Sequence, residues 1–205
     1  MLLIQDLEDG IRCIGLNRPE KRNAIGVEMT LAFEEILLRT QGDQDVKTVV
    51  FRGLGDHFCA GMDIKDFFDS TTRPPDLLQR ARSATEHWRT HLLRQMPQTI
   101  ITAVQGYCLG GALPILAASS RVLAARDAKF GLPEINFGFV PGGQIIKAAG
   151  EVMTPRGLVY AALTGRPFDA AQAQRWGLVT TLVEGDPFEA ALALARTTGF
   201  PPARK

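Results

Sequence analysis

With 205 residues, 45% of them hydrophobic and 22% charged, the chain has the composition of a soluble globular domain and the length for one well-filled core. A formal net charge of +1 provides no concentrated basic surface, which argues against nucleic acid or an anionic membrane as partner. The stretch Met1 to Asp9 has no basic n-region and turns acidic too early for a signal peptide, and no apolar run approaches the length of a membrane span. Cys13, Cys59 and Cys108 form an odd set without metal-ligand spacing, so reduced thiols in a cytoplasmic protein are expected.

Leu2 to Leu7 and Ile11 to Leu16 alternate or run apolar around the turn dipeptide Asp9-Gly10 and read as a hairpin. Asn17 to Ala24 is a polar loop, whose Lys21 and Arg22 have a plain reading as solvated charges. Val27 to Leu38 carries Met29, Ala32, Phe33, Ile36 and Leu37 on one stripe, a helix that packs on a sheet. Thr48 to Arg52 is the next strand, and a short glycine loop leads from it into Phe58-Cys59-Ala60-Gly61-Met62-Asp63-Ile64-Lys65. From Asp66 the chain reads as a mobile loop with two exposed aromatics, Phe67 and Phe68, on its approach. Helix Leu77 to Met96 puts Leu77, Leu78, Ala81, Ala84, Trp88, Leu92 and Met96 near one face, with Arg80, Arg82, Arg89 and Arg94 outside it. His87 and His91 stand four apart, as zinc ligands on a helix can, but no H-E-x-x-H is formed. Asp63, Asp66 and Asp69 do not follow a calcium-loop pattern, and no metal site is expected.

Thr99 to Val104 is a β-branched, apolar strand; three glycines within Gly106 to Gly111 make a turn; Leu113 to Ala118 reads as a buried helix. The N–H groups of Gly111 and Ala112, opening that helix, would face an oxygen carrying negative charge, although glycine turns before helices are also common as plain structure. Arg121 to Ala125 is a strand, and Phe130 to Gly138 sets one carboxylate, Glu134, among apolar neighbours. Helices follow at Ile145 to Ala149, from the cap Thr154-Pro155 to Leu163, over Phe168 to Gly177, and from Pro187 to about Thr197.

Three ordered stretches carry a resemblance: the glycine turn at 106–112, Ala60-Gly61-Met62-Asp63, and Phe130 to Gly138. On these the chain resembles the crotonase (enoyl-CoA hydratase/isomerase) superfamily, from Asn17-Arg18-Pro19 through Gly177-Leu178-Val179. The resemblance implies an α/β fold with a ββα spiral core and peripheral helices. It implies one domain over 1–205, with the core within about 1–185 and a shortened C-terminal helical region at 186–205. It also implies a trimer or hexamer acting on an acyl-CoA thioester, with coenzyme A arriving as part of the substrate and no separate cofactor.

Residue by residue, the likeness makes Met62 and Gly111 the main-chain donors of an oxyanion hole and Glu134 the acid-base group. Such a carboxyl, desolvated among apolar neighbours, would have its pKa pushed upward toward useful proton transfer. The likeness sets Lys21 and Arg22 against the phosphates of coenzyme A and assigns substrate contacts to Ala24, Ala60, Asp63, Ile64, Phe67, Pro133 and Phe137. Two-glutamate hydratases carry a second glutamate three residues after the oxyanion glycine, where this chain has Pro114. Single-glutamate members, the isomerases and the hydroxycinnamoyl-CoA hydratase-lyases, are the nearer likeness. Phe67 stands where the latter would have a phenol-binding tyrosine, which favours a non-phenolic acyl chain. The competing reading, from Pro114 and the short C-terminus, is a non-catalytic paralogue that binds acyl-CoA or a partner.

Overall fold

The computed structural model of the chain describes residues 1–68, 71, 73–142 and 144–197. Of the positions used above, Asp69 and 198–205 lie outside the described residues. In chain order the elements are β1 (Leu2–Leu7), β2 (Ile11–Leu16), α1 (Val27–Gly42), β3 (Thr48–Gly53), α2 (Ile64–Phe68) and α3 (Pro75–His87). A π turn at Trp88–Leu92 runs on into α4 (Leu93–Gln95). Then come β4 (Thr99–Val104), β5 (Tyr107–Leu109), α5 (Leu113–Ala117), β6 (Arg121–Ala125), β7 (Lys129–Gly131), α6 (Ile145–Val152), α7 (Pro155–Thr164), β8 (Phe168–Asp169), α8 (Ala170–Arg175), β9 (Thr181–Val183) and α9 (Pro187–Thr197).

Six strands form one sheet in the order β1-β2-β3-β4-β6-β9, antiparallel at the β1/β2 hairpin and parallel elsewhere. Every residue of β2 and β4 is buried, as parallel strands covered on both faces must be. Alternation divides them between two cores. Ile14, Leu16, Val49, Phe51, Ile100 and Val104 face α1 and the π turn, where Phe33 stacks on Phe51 and meets Trp88 edge-on at 4.9 Å. Ile11, Cys13, Val50, Ile101, Ala103 and Leu123 face the other way, against Ala191, Leu192 and Ala195 of α9. The core thus extends past residue 185, because α9 covers a sheet face that would otherwise meet water.

A smaller sheet, β5-β7-β8, has strands of two or three residues, too short to register in a hydrophobic pattern. It changes two readings: Tyr107 to Leu109 is strand within the supposed glycine turn, and α8 begins at Ala170, after β8, capped by the Asp169 side chain on Gln172 N–H at 2.7 Å. The loop aromatic Phe67 is not exposed. The single turn of α2 carries it inward against Val27, Leu78 and Ala81, leaving it 3% accessible.

Candidate active site

The loop before α1 is built around Asn23, a residue with no accessible surface and a φ of 56°. Its carboxamide accepts from Arg18 N–H at 2.8 Å and donates to the carbonyls of Leu54 at 2.9 Å and His57 at 2.7 Å, tying three stretches of chain together. Lys21 and Arg22 project from this loop into solvent. Ala24 and Ala60 are half-buried beside it, and Ala60 N–H donates to Arg22 O at 2.9 Å. Asp63 is occupied structurally: its carboxylate takes Arg18 Nη1 at 2.8 Å and Asp66 N–H at 3.3 Å, which pins the entry to α2. Asp66 in turn accepts the N–H of Val27 at 2.8 Å, at the start of α1, where a carboxylate complements the helix dipole.

These ties place Met62. Phe58 N–H donates to Gln105 O and Cys59 N–H to Tyr107 O, while Leu109 N–H returns to Cys59 O, so residues 58–59 run beside β5. The segment then changes neighbours. Ile25 N–H donates to Gly61 O at 2.8 Å and Asp63 N–H to Ile25 O at 2.9 Å, a parallel bridge between Ile25 and Met62. In such a bridge the middle residue turns its own N–H away from the partner strand. The neighbouring segment is Leu109–Gly111: a Cβ added to Gly61 would lie 3.0 Å from Leu109 O and 3.6 Å from Gly111 N. Gly111 sits in the single 3-10 turn Gly110–Ala112 that leads into α5, where the first N–H groups lack acceptors within the helix. Each donor follows a glycine in the left-handed region, Gly61 at φ 93° and Gly110 at φ 48°.

Glu134 lies in the first turn of the 3-10 helix Pro133–Phe137. Its side chain rests against the bare Cα of Gly110, where any Cβ would overlap Oε1. Its Oε2 is buried and without a hydrogen-bond partner. Desolvation raises its pKa above the ordinary glutamate value, a shift that its own backbone N–H and the Arg89 cation offset only in part. The Glu134 carboxyl and the Gly111 N–H are therefore brought together at one glycine turn.

Next to them opens a cavity of about 570 Å³, bounded by Met62 and Phe67 on one side and by Phe139, Val140 and Ile145 on another. Thus Met62 and Phe67 reach the cavity. Phe137 does not; it is 58% exposed, and Phe139, two residues on, takes the lining position because the 3-10 turn ends at Gly138. Ile64 is 36% exposed and Pro133 half-buried, both away from the lining.

The remaining wall corrects the sequence reading of α3. Arg80 ion-pairs with the buried Glu34 at 2.6 Å, and Arg89, assigned to the outer face, is 5% exposed inside the site. There Nη2 donates to Gly111 O at 3.0 Å and approaches Met62 Sδ at 2.9 Å. Arg89 lies one turn after the buried Thr85, at the edge of the apolar stripe, and within the π turn both it and Trp88 are buried. His87 meets Glu34 at 2.7 Å and His91 meets Thr90 at 2.5 Å, and no cluster of three metal-ligating side chains exists among the described residues.

The enoyl-CoA hydratase/isomerase family model matches residues 6–197. Hydroxycinnamoyl-CoA hydratase-lyase of Pseudomonas fluorescens is 35% identical over 179 residues, covering 87% of this chain and 65% of that protein. Mevalonyl-coenzyme A hydratase of Aspergillus fumigatus is 33% identical over 181 residues, covering 86% of the chain and 64% of that protein. The chain thus spans slightly less than two thirds of these relatives' lengths. The crystal structure of an enoyl-CoA hydratase/isomerase from Mycobacterium paratuberculosis superposes with a TM-score of 0.87 over 96% of this chain and 77% of that one, at 22% identity. The chain belongs to the enoyl-CoA hydratase/isomerase family, and its architecture is the crotonase fold. No helix among the described residues is long and apolar enough to cross a membrane.

Proposed function

We propose that the protein hydrates or isomerises an enoyl-CoA double bond with a single glutamate. The observation that carries this reading is the packing of the Glu134 carboxyl against Gly110, one residue from the Gly111 donor. The thioester oxygen sits between the N–H groups of Met62 and Gly111, which stabilise the enolate; one such donor is worth roughly 3–4 kcal/mol of barrier. In hydration, water oxygen bonds to C3 while its proton passes to Glu134, which then delivers a proton to C2. In isomerisation, Glu134 takes a proton from C2 of a 3-enoyl thioester and returns it to C4. Pro114, buried in α5, supplies no second carboxylate, so one group performs both transfers. The elevated pKa of Glu134 suits it to both roles.

Lys21 and Arg22, exposed beside the mouth of the 17–24 loop, are the cations for the coenzyme A phosphates. The protein works in the cytoplasm as a trimer or hexamer, the exposed Phe137, Val159, Tyr160 and Leu163 supplying apolar surface for self-association. The test is turnover of a 2-enoyl-CoA and a 3-enoyl-CoA by wild type and Glu134→Gln under saturating substrate. Wild type is expected to convert at least one, and Glu134→Gln to lose about 100-fold or more in kcat with substrate affinity retained. Full activity of Glu134→Gln on both would refute the mechanism. Light scattering is expected to show an oligomer; a monomer at every concentration would contradict that part.

A further inference from the structure

The acyl cavity carries more charge than a hydrocarbon tail would require. Arg82, Thr85, Glu86 and Arg89 line it at i, i+3, i+4 and i+7 of one helical wall, and Gln144 lies across from them. Arg82 and Glu86 are exposed, at the mouth, whereas Arg89 lies at the inner end, 5% exposed. Its Nη2 is spent on Gly111 O and Met62 Sδ, but its Nε is buried without a partner. No carboxylate is paired with it among the described residues, and the Glu134 carboxyl, whose charge acts on it, is turned against Gly110. A buried guanidinium without a counter-ion is strongly unfavourable, and the surroundings of Arg89 depress its pKa only to about 10, which leaves it charged at neutral pH.

We propose that the cavity takes an acyl group bearing its own carboxylate, with Arg89 as the counter-ion. This rests on the reading of the site as an acyl-CoA site. Arg89 and the thioester donor Gly111 are in direct contact, so thioester carbonyl and distal carboxylate are held by one turn of chain and the acyl group between them is short. The Nε–H of the guanidinium, buried and unpaired, is a charged donor that a carboxylate satisfies and an alkyl chain leaves unpaired. Arg82, seven residues earlier and about 10 Å up the helix, draws the anion to the mouth, where Glu86 weakens the attraction for the carboxylate only in part.

The experiment is calorimetric binding of glutaryl-CoA, pentanoyl-CoA and 5-hydroxypentanoyl-CoA to the full chain, saturated thioesters whose binding needs no turnover. Wild type is expected to bind glutaryl-CoA at least about 10-fold more tightly than pentanoyl-CoA, the low end for a hydrogen bond to a charged group. Arg89→Gln should collapse that ratio toward one and Arg89→Lys keep part of it, while Arg82→Gln should lower it less. Equal affinity of wild type for glutaryl- and pentanoyl-CoA overturns the inference while leaving the thioester reading intact. Tightest binding of the hydroxy compound overturns it in favour of a neutral oxygen. Failure of all three thioesters to bind overturns the acyl-CoA reading itself and the inference with it.

Discussion

The two sides of the candidate site are held by different means. Met62 and Gly111 are carried by segments whose main chains are bonded to β5 and to Ile25, so their N–H groups are positioned by backbone. Glu134 rides on one 3-10 turn, anchored by Asn136 Nδ2 on Gly165 O at 3.1 Å, while Ile135 and Phe137 beside it are exposed. Donor geometry should therefore tolerate side-chain changes and fail on backbone ones. The position of the Glu134 carboxyl depends instead on what packs against a small, exposed turn. Gly110 is where the two sides meet, since it shapes the donor turn and leaves the space that the carboxyl occupies.

The comparison breaks most severely at that glycine. Gly110→Ala adds a Cβ in the left-handed region and into Glu134 Oε1, so base and donor are disturbed together; kcat for the preferred enoyl-CoA should fall by more than about 100-fold in steady-state assays. Gly61→Ala acts on the donor side alone, through a contact at 3.0 Å with Leu109 O and a φ of 93°; a loss of about 10- to 100-fold in kcat is expected, with Glu134 still titrating normally in the pH profile.

Asn23→Ala sharpens the contrast from farther away. It strands the Leu54 and His57 carbonyls and should cost about 1–3 kcal/mol in denaturant unfolding, with KM for the thioester rising more than kcat falls. The smallest effect concerns stability and pH. Burial raises the Glu134 pKa, so its protonated form stabilises the fold below the ordinary glutamate value, and that contribution is lost as pH rises through the raised value. Glu134→Gln, permanently neutral, should melt at or above the wild-type Tm at pH 8, with the gap closing as pH falls toward 4. A gap that widens on acidification would show that the carboxylate form is the favoured one.

Much of this was legible in the residues. The β-branched runs at 48–52 and 99–104 are the buried parallel strands, and Thr154-Pro155 caps α7 through Thr154 Oγ1 and Gly157 N–H. Glu134 stood out as a carboxylate with apolar neighbours, and the structure sets it beside the predicted glycine turn. What remained hidden depended on tertiary structure. Asn23 looks like any polar loop residue until its three partners, two of them over thirty positions away, are brought to it. Phe67 was misjudged because α2 is a single turn, whose inward direction comes from Asp63 and Asp66 rather than from periodicity. Arg89 sits at the edge of the apolar stripe, one turn after Thr85, where tertiary neighbours and not the helical period decide whether a long cationic side chain turns inward.

That widened turn at 88–92 also has a consequence for how this scaffold diversifies. The character of the cavity beside Glu134 is set by the angular phase of one helix as well as by the residue types along it. Removing a single residue between Trp88 and Leu92 would let the ladder close into a regular α-helix, with the flanking segments left in phase and the side chains inside the turn re-aimed. The direction of the Arg89 guanidinium would then change with no change in its own codon. Specificity in this chain is therefore open to insertion and deletion, a route that position-by-position substitution surveys would overlook.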